Sequence, residues 1–176
     1  MNIFVLDENP KTAAQMMNDK HVVKMPLESL QMISTCMTLR GFNGPYRKSF
    51  AYHPCTIWAR QTSENLVWLI EHFKALCEEY TLRYNKVHKC QKTFEQSEDE
   101  VKKLIEYLPK DGLTPFAIAI SPDMFCRKVE GFDSLSAVDK YRLYYLHDKK
   151  HIADWKTKPP QWWTDFYKME EEYGLQ

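Results

Sequence analysis

The sequence predicts an all-α fold: a compact single helical domain over residues 1–176 with at most one short extended pair. Three observations carry this. Apolar residues recur at three- and four-residue spacing through long segments, the period of a helix with one buried face. Helix start and stop signals bracket those segments. Strand-like apolar runs are confined to two short stretches, residues 2–6 and 116–120.

The first run, Asn2-Ile3-Phe4-Val5-Leu6, is too short to tell a strand from an extended arm. Asn9-Pro10 then opens a helix, with a capping side chain followed by proline at the first helical position. A second helix is expected from about His21 to Leu39, with Val22, Met25, Leu30 and Ile33 on its buried stripe. Arg40-Gly41 ends it with a basic last turn and a C-cap glycine. Pro26 lies inside and is expected to kink or restart it, because proline removes a hydrogen bond there.

Gly41, Asn43-Gly44-Pro45 and His53-Pro54 punctuate a loop over 41–54. The longest helix is expected from Thr56 to Asn85, since Leu66, Leu69, Ile70, Phe73, Leu76, Cys77 and Tyr80 keep helical spacing. Ser97-Glu98-Asp99-Glu100 has the form of a capping box opening a shorter helix that ends near Leu108. Phe116–Ile120, between Pro115 and Pro122, reads as a buried extended segment. A last long helix is expected from Ser136 to Trp155. Pro159-Pro160 then break the chain before a short terminal helix.

Composition narrows the class. With 44% apolar residues, 14% aromatics and only five glycines, the chain can bury a core and does not read as disordered. No apolar stretch approaches the roughly 20 residues that span a bilayer. Asp7 and Glu8 follow the first apolar run and no basic n-region precedes it, so a signal peptide is not expected. Five scattered cysteines, none in C-x-x-C spacing, read as reduced packing residues of a cytoplasmic protein.

Net charge is zero, unlike a general nucleic-acid binder. The distribution is less even. Residues 10–48 carry six Lys/Arg against two acids, and residues 140–158 again six against two. Residues 95–111 carry six acids against three bases. The basic stretches form one patch only if the fold brings them together; otherwise they are ordinary solvated helix faces.

The chemistry-bearing segment is Asp19-Lys20-His21-Val22-Val23-Lys24-Met25-Pro26-Leu27-Glu28. On a helix His21, Lys24 and Glu28 lie at i, i+3 and i+7, along one face. An imidazole, an ammonium and a carboxylate so placed suit an acid/base site or a phosphate grip beside a base. Charged residues at such spacing are common, and by pattern alone they read first as a salt-bridged surface turn. His53 before Pro54 is a site residue or a helix cap. Tyr141, Tyr144 and Tyr145 are stacking residues or core. His147 and His151 are spaced i, i+4 like a metal pair, but no third ligand accompanies them, and no metal or cofactor is expected. P-loop, dinucleotide-binding and serine-hydrolase motifs do not occur.

Asp19-Lys20-His21 with Glu28, seven residues after the histidine, resembles the helical motif of the pyrimidine-dimer DNA glycosylases of the phage endonuclease V type. The short apolar arm Asn2–Leu6 resembles that family's N-terminal arm. Tyr141-Arg142-Leu143-Tyr144-Tyr145 with Lys149 resembles its aromatic and basic DNA-contacting segment. The family's proline follows the glutamate, whereas Pro26 precedes Glu28. A broader likeness, through His53-Pro54 and Trp58, extends to phage proteins bearing the same family name.

The resemblance implies a cofactor-free DNA glycosylase/AP-lyase acting on a damaged or modified pyrimidine. An N-terminal amine attacks C1′ and forms an imine, a glutamate serves as acid/base, and β-elimination cuts the strand. Here the glutamate is Glu28. The amine belongs to Met1, because Asn2 is too large for efficient methionine removal, or to Asn2 if removal occurs. Lys20, His21, Lys24, Arg47, Lys48, His53, Arg142, Tyr145 and Lys149 are the residues expected to hold DNA or its phosphates. Neutral charge leaves room for a free nucleotide or nucleoside as substrate. A non-catalytic phage accessory protein that binds DNA or a host protein is the other alternative. No membrane partner is expected.

Overall fold

A computed structural model describes residues 1–174; its regular structure is helical, with no strand among the described residues. The helices are α1 (Pro10–Met16), α2 (Asp19–Leu39), α3 (Pro54–Ala59), α4 (Ser63–Tyr84), α5 (Lys89–Tyr107), α6 (Ala137–Asp148) and α7 (Gln161–Tyr173). No helix among the described residues is long and apolar enough to cross a membrane.

The two long helices α2 and α4 pack on each other; α1 lies on α4 and α5 against both. Their apolar stripes meet in a core that includes Leu30, Ile33, Met37, Leu66, Leu69, Phe73 and Leu76. The N-terminal run enters this core: Ile3, Phe4, Val5 and Leu6 are all buried. It forms no ladder with 116–120. One bond joins the two stretches, the Asn2 amide donating to the Ala119 carbonyl at 2.8 Å. Tyr141 holds residues 116–120 from the other side, its hydroxyl donating to Ala117 O and accepting from Ala119 N–H.

The expected start of α1 is present: Asn9 accepts from the Lys11 and Thr12 N–H groups and Pro10 is the first helical residue. Four expectations shift. Pro26 does not break α2, which runs unbroken to Leu39. Beside the bond that Pro26 removes, His88 Nε2–H donates to the Val23 carbonyl at 2.9 Å. The helix expected over 56–85 is two helices. Thr62 turns extended and caps α4 by accepting from Asn65 N–H, while the Asn65 amide donates to Trp58 O at the end of α3. α5 begins eight residues before the Ser97 box because His88 Nδ1 caps it at Cys90 N–H. Ser97 lies inside, bonded back to Thr93 O. α6 ends at Asp148, whose carboxylate is engaged by the Phe125 and Cys126 N–H groups. All five cysteines are free and buried, as packing residues are.

The loop 41–54 is laid along α2. Gly44 passes so close to Ser34 that a Cβ there would collide with the Ser34 hydroxyl and carbonyl.

Candidate active site

The N-terminal residues, α2, the start of α3, residues 118–121 and the end of α6 enclose an open cavity of about 560 Å³. Its residues come from five separate segments, each held by a local device.

Glu28 projects from the third turn of α2 with its side chain only 9% exposed. Its Oε1 lies 3.3 Å from the Met1 nitrogen and accepts from the Asn2 N–H at 3.2 Å. Its Oε2 lies 3.6 Å from Lys24 Nζ, one turn earlier on the same face. The carboxylate is thus shared between the chain terminus and a lysine open to solvent.

Two anchors hold the terminus there. The Met1 side chain is buried, and its sulfur accepts from the Thr56 hydroxyl at 3.8 Å. Asn2 is clamped on both ends: Oδ1 accepts from the N–H groups of Ile3 and Phe4, and Nδ2 donates to Ala119 O. Phe4 takes a left-handed φ of 56°, which turns its ring onto His21, stacked at 4.2 Å. That conformation costs a bulky L-residue of order 1–2 kcal/mol, and packing against four aromatic rings offsets it.

His21 Nδ1 meets the Tyr145 hydroxyl at 2.5 Å, and that hydroxyl also accepts from Asn18 N–H at 3.4 Å. With the hydroxyl hydrogen directed at Nδ1, the imidazole proton sits on Nε2. Burial pushes the His21 pKa down to about 3, and Lys149, Lys24 and His151 add to it. At neutral pH His21 is an uncharged ring, so it can offer a phosphate a hydrogen bond but not a positive charge.

Lys149 Nζ stands 4.8 Å from the Tyr144 ring centre and 5.8 Å from that of Phe4. Burial lowers its pKa; Asp148 opposes the shift and Lys24 adds to it. His53 does both jobs the sequence left open. Its Nδ1 caps α3 at Cys55 N–H, and its ring lines the cavity. Burial and the nearby chain terminus hold its pKa low.

The structure therefore brings Met1, Asn2, His21, Lys24, Glu28, His53 and Lys149 together. Lys20, Arg47, Lys48, Arg142 and Tyr145 are not in the cavity lining. Lys20, Arg47 and Lys48 are exposed. Arg142 is occupied elsewhere, donating to Leu6 O and pairing with Asp7 at 3.3 Å. Tyr145 is fully buried and reaches the site only through His21, which corrects its expected place at a DNA surface. Asp19, the first residue of the motif, faces away from the cavity and pairs with Arg83 at 3.2 Å.

Phe4 and the wall 118–121 line the cavity without having been expected at a site, and Tyr144, which the sequence left as a stacking residue or core, lines it where its neighbour Tyr145 does not. Tyr144 could have been found only by knowing the rotation of α6, since Tyr145 is its neighbour. Chemically, the site offers one carboxylate beside an amine, two lysines and aromatic faces, which suits an anionic, ring-bearing substrate. Among the described residues no group of three or more His, Cys, Asp or Glu could hold a metal ion.

A family model described as pyrimidine dimer DNA glycosylase matches residues 1–92. No curated protein and no solved structure matches the chain.

Proposed function

Since the chain belongs to the pyrimidine dimer DNA glycosylase family, we propose that it cleaves the N-glycosidic bond of a damaged or modified pyrimidine in DNA, with the Met1 amine as nucleophile and Glu28 as acid/base. The observation that supports this most is the approach of the Met1 nitrogen to Glu28 Oε1, 3.3 Å apart in an open cavity.

Glu28 accepts a proton from the attacking amine as the nitrogen bonds to C1′. The C1′–base bond breaks, and the base leaves with that electron pair and gains a proton. The same carboxylate lies where positive charge develops on the sugar and stabilises it. Ring opening gives a protonated imine. Loss of a C2′ proton then expels the 3′ phosphate, which is the AP-lyase step. Lys24 and Lys149 hold phosphates, and His21 and His53 supply neutral donors. Were Met1 removed, the Asn2 nitrogen, 3.2 Å from the same oxygen, would take the amine's role.

Zero net charge favours a second reading, in which the same cavity takes a free nucleotide or nucleoside. Micromolar nucleotide binding without DNA binding would select it.

Borohydride trapping on ultraviolet-irradiated, abasic and undamaged duplexes tests the first reading. The expected result is a covalent adduct with damaged DNA that disappears when the N-terminus is blocked. Glu28→Gln should reduce trapping at least about 100-fold while leaving the melting temperature nearly unchanged. No adduct on any duplex, with the protein folded and its terminus free, would retire the lyase mechanism. A large loss of stability in Glu28→Gln would make the residue structural.

A further inference from the structure

His21 opens the stripe of α2 that Glu28 closes, and both line the cavity. At about 1.5 Å per residue the two stand about 10 Å apart along the helix axis. The Met1 amine sits at the Glu28 end. The interval spans a sugar carbon, the pyrimidine ring attached to it and a hydrogen bond beyond. The His21 ring is fixed within this stripe. Its face stacks on Phe4 at 4.2 Å. Its Nδ1 lies 2.5 Å from the hydroxyl of the fully buried Tyr145. That hydroxyl has a second contact, the Asn18 N–H at 3.4 Å, and of the two only Nδ1 can accept its hydrogen. A sealed hydroxyl hydrogen without an acceptor is costly, so Nδ1 takes it and the ring keeps N–H at Nε2. Among the described residues His21 makes its ring hydrogen bond through Nδ1, which leaves Nε2–H for a ligand.

The use of an uncharged donor follows from when charge appears. A phosphate is an anion throughout the reaction, and Lys24 and Lys149 stand near the ring to serve it. The leaving base is different. It takes up an electron pair only as its bond to C1′ breaks, and the charge spreads onto its carbonyl oxygens. A donor fixed in advance in a buried site stabilises such a charge most in the transition state. A neutral imidazole is suited to polarising a carbonyl in this way.

We propose that His21 Nε2–H hydrogen-bonds the carbonyl oxygen beside the glycosidic nitrogen of the leaving pyrimidine and stabilises the base as it departs, and that Tyr145 is the positioning residue that fixes the ring for this. This rests on the glycosylase reading of the cavity and adds which group carries the charge of the leaving base. The amine supplies the electron pair that bonds to C1′. The pair of the broken glycosidic bond goes to the base. His21 keeps its proton throughout, and the released base takes its own from solvent.

An abasic site has no base to lose, so it isolates the step. The test compares rates of borohydride trapping by the wild type and by folded His21→Ala on irradiated and abasic duplexes. The variant should lose at least about 100-fold on the irradiated duplex and stay unchanged on the abasic one. Equal losses on both would make His21 a contact to the strand, and no loss on either would make it a bystander. Each overturns the proposal and leaves the glycosylase reading standing. A wild type trapped on the abasic duplex alone, or on neither, overturns the glycosylase reading and the role of His21 with it. Nitrogen-15 spectra of the His21 ring at neutral pH read the tautomer independently of activity. The wild type should show a protonated Nε2 and a bare Nδ1; a protonated Nδ1 overturns the proposal. Tyr145→Phe should mix the two forms and slow trapping on the irradiated duplex alone. A tautomer unchanged in that variant would overturn the positioning role of Tyr145.

Discussion

His21 is uncharged in the folded protein because burial and two lysines oppose its protonation. In the unfolded chain it titrates near 6.5. The unfolded state therefore binds the extra proton, and stability falls as pH drops below 6.5 toward about 3. His72, buried and pushed down to about 4, works in the same direction. Each contributes a slope approaching about 1.4 kcal/mol per pH unit. Urea unfolding between pH 6.5 and 5 should show stability falling with acid, and His21→Gln should flatten that fall by one histidine's share. An unchanged slope would mean that His21 is charged in the fold. The stripe His21–Lys24–Glu28 was legible because seven residues are close to two helical turns. The loss of charge on His21 was not, because it comes from Phe4, Tyr145 and Lys149, which reach the ring only through tertiary packing. Tyr144 and Tyr145 show the same limit. Adjacent residues on a helix point about 100° apart, and no local signal says which of two tyrosines faces the cavity.

Among the elements, α1 and α2 owe their junction to a residue of α4. Arg83, with no side-chain exposure, pairs with Glu79 and Asp19 and donates to the carbonyls of Gln15 and Met17, orphaned at the end of α1. Arg83→Met would leave two carboxylates and two carbonyls without that partner. It should cost about 3–5 kcal/mol, read as a lowered urea midpoint. A loss under about 1 kcal/mol would show that water replaces the guanidinium. Asp19 accordingly serves folding, although its place in the motif drew attention as chemistry. Helix types were legible from periodicity, and helix ends less so. The start of α1 was plain because asparagine and proline are strong signals. The start of α5 was hidden because a histidine cap is an uncommon one, whereas Ser97 offered the usual pattern and lay mid-helix. Thr62 could not outweigh the strong stripe on either side of it.

Across the molecule, the two basic stretches converge only in part. Lys24 and Lys149 face one cavity, whereas Arg142 is tied to Asp7. With the exposed Lys20, Arg47 and Lys48 added, about five cations remain for phosphates, so log K for DNA should fall with log salt at a slope of about −4.5. A slope near zero would speak for a nucleotide-sized ligand. The all-helical class was legible from the sequence because every long stripe had helical spacing. The cavity was not, since it forms where segments far apart in the chain meet. That separation has a consequence for the order in which the protein matures. The ribosome releases Met1 and Glu28 early, but Ala119, Tyr144 and Lys149 emerge about 90 to 120 residues later, at roughly 5–20 residues per second. The amine and carboxylate therefore wait several seconds without a pocket around them. A nascent chain abandoned before α6 carries the Met1 amine and Glu28 without the wall that Tyr144 and Lys149 supply.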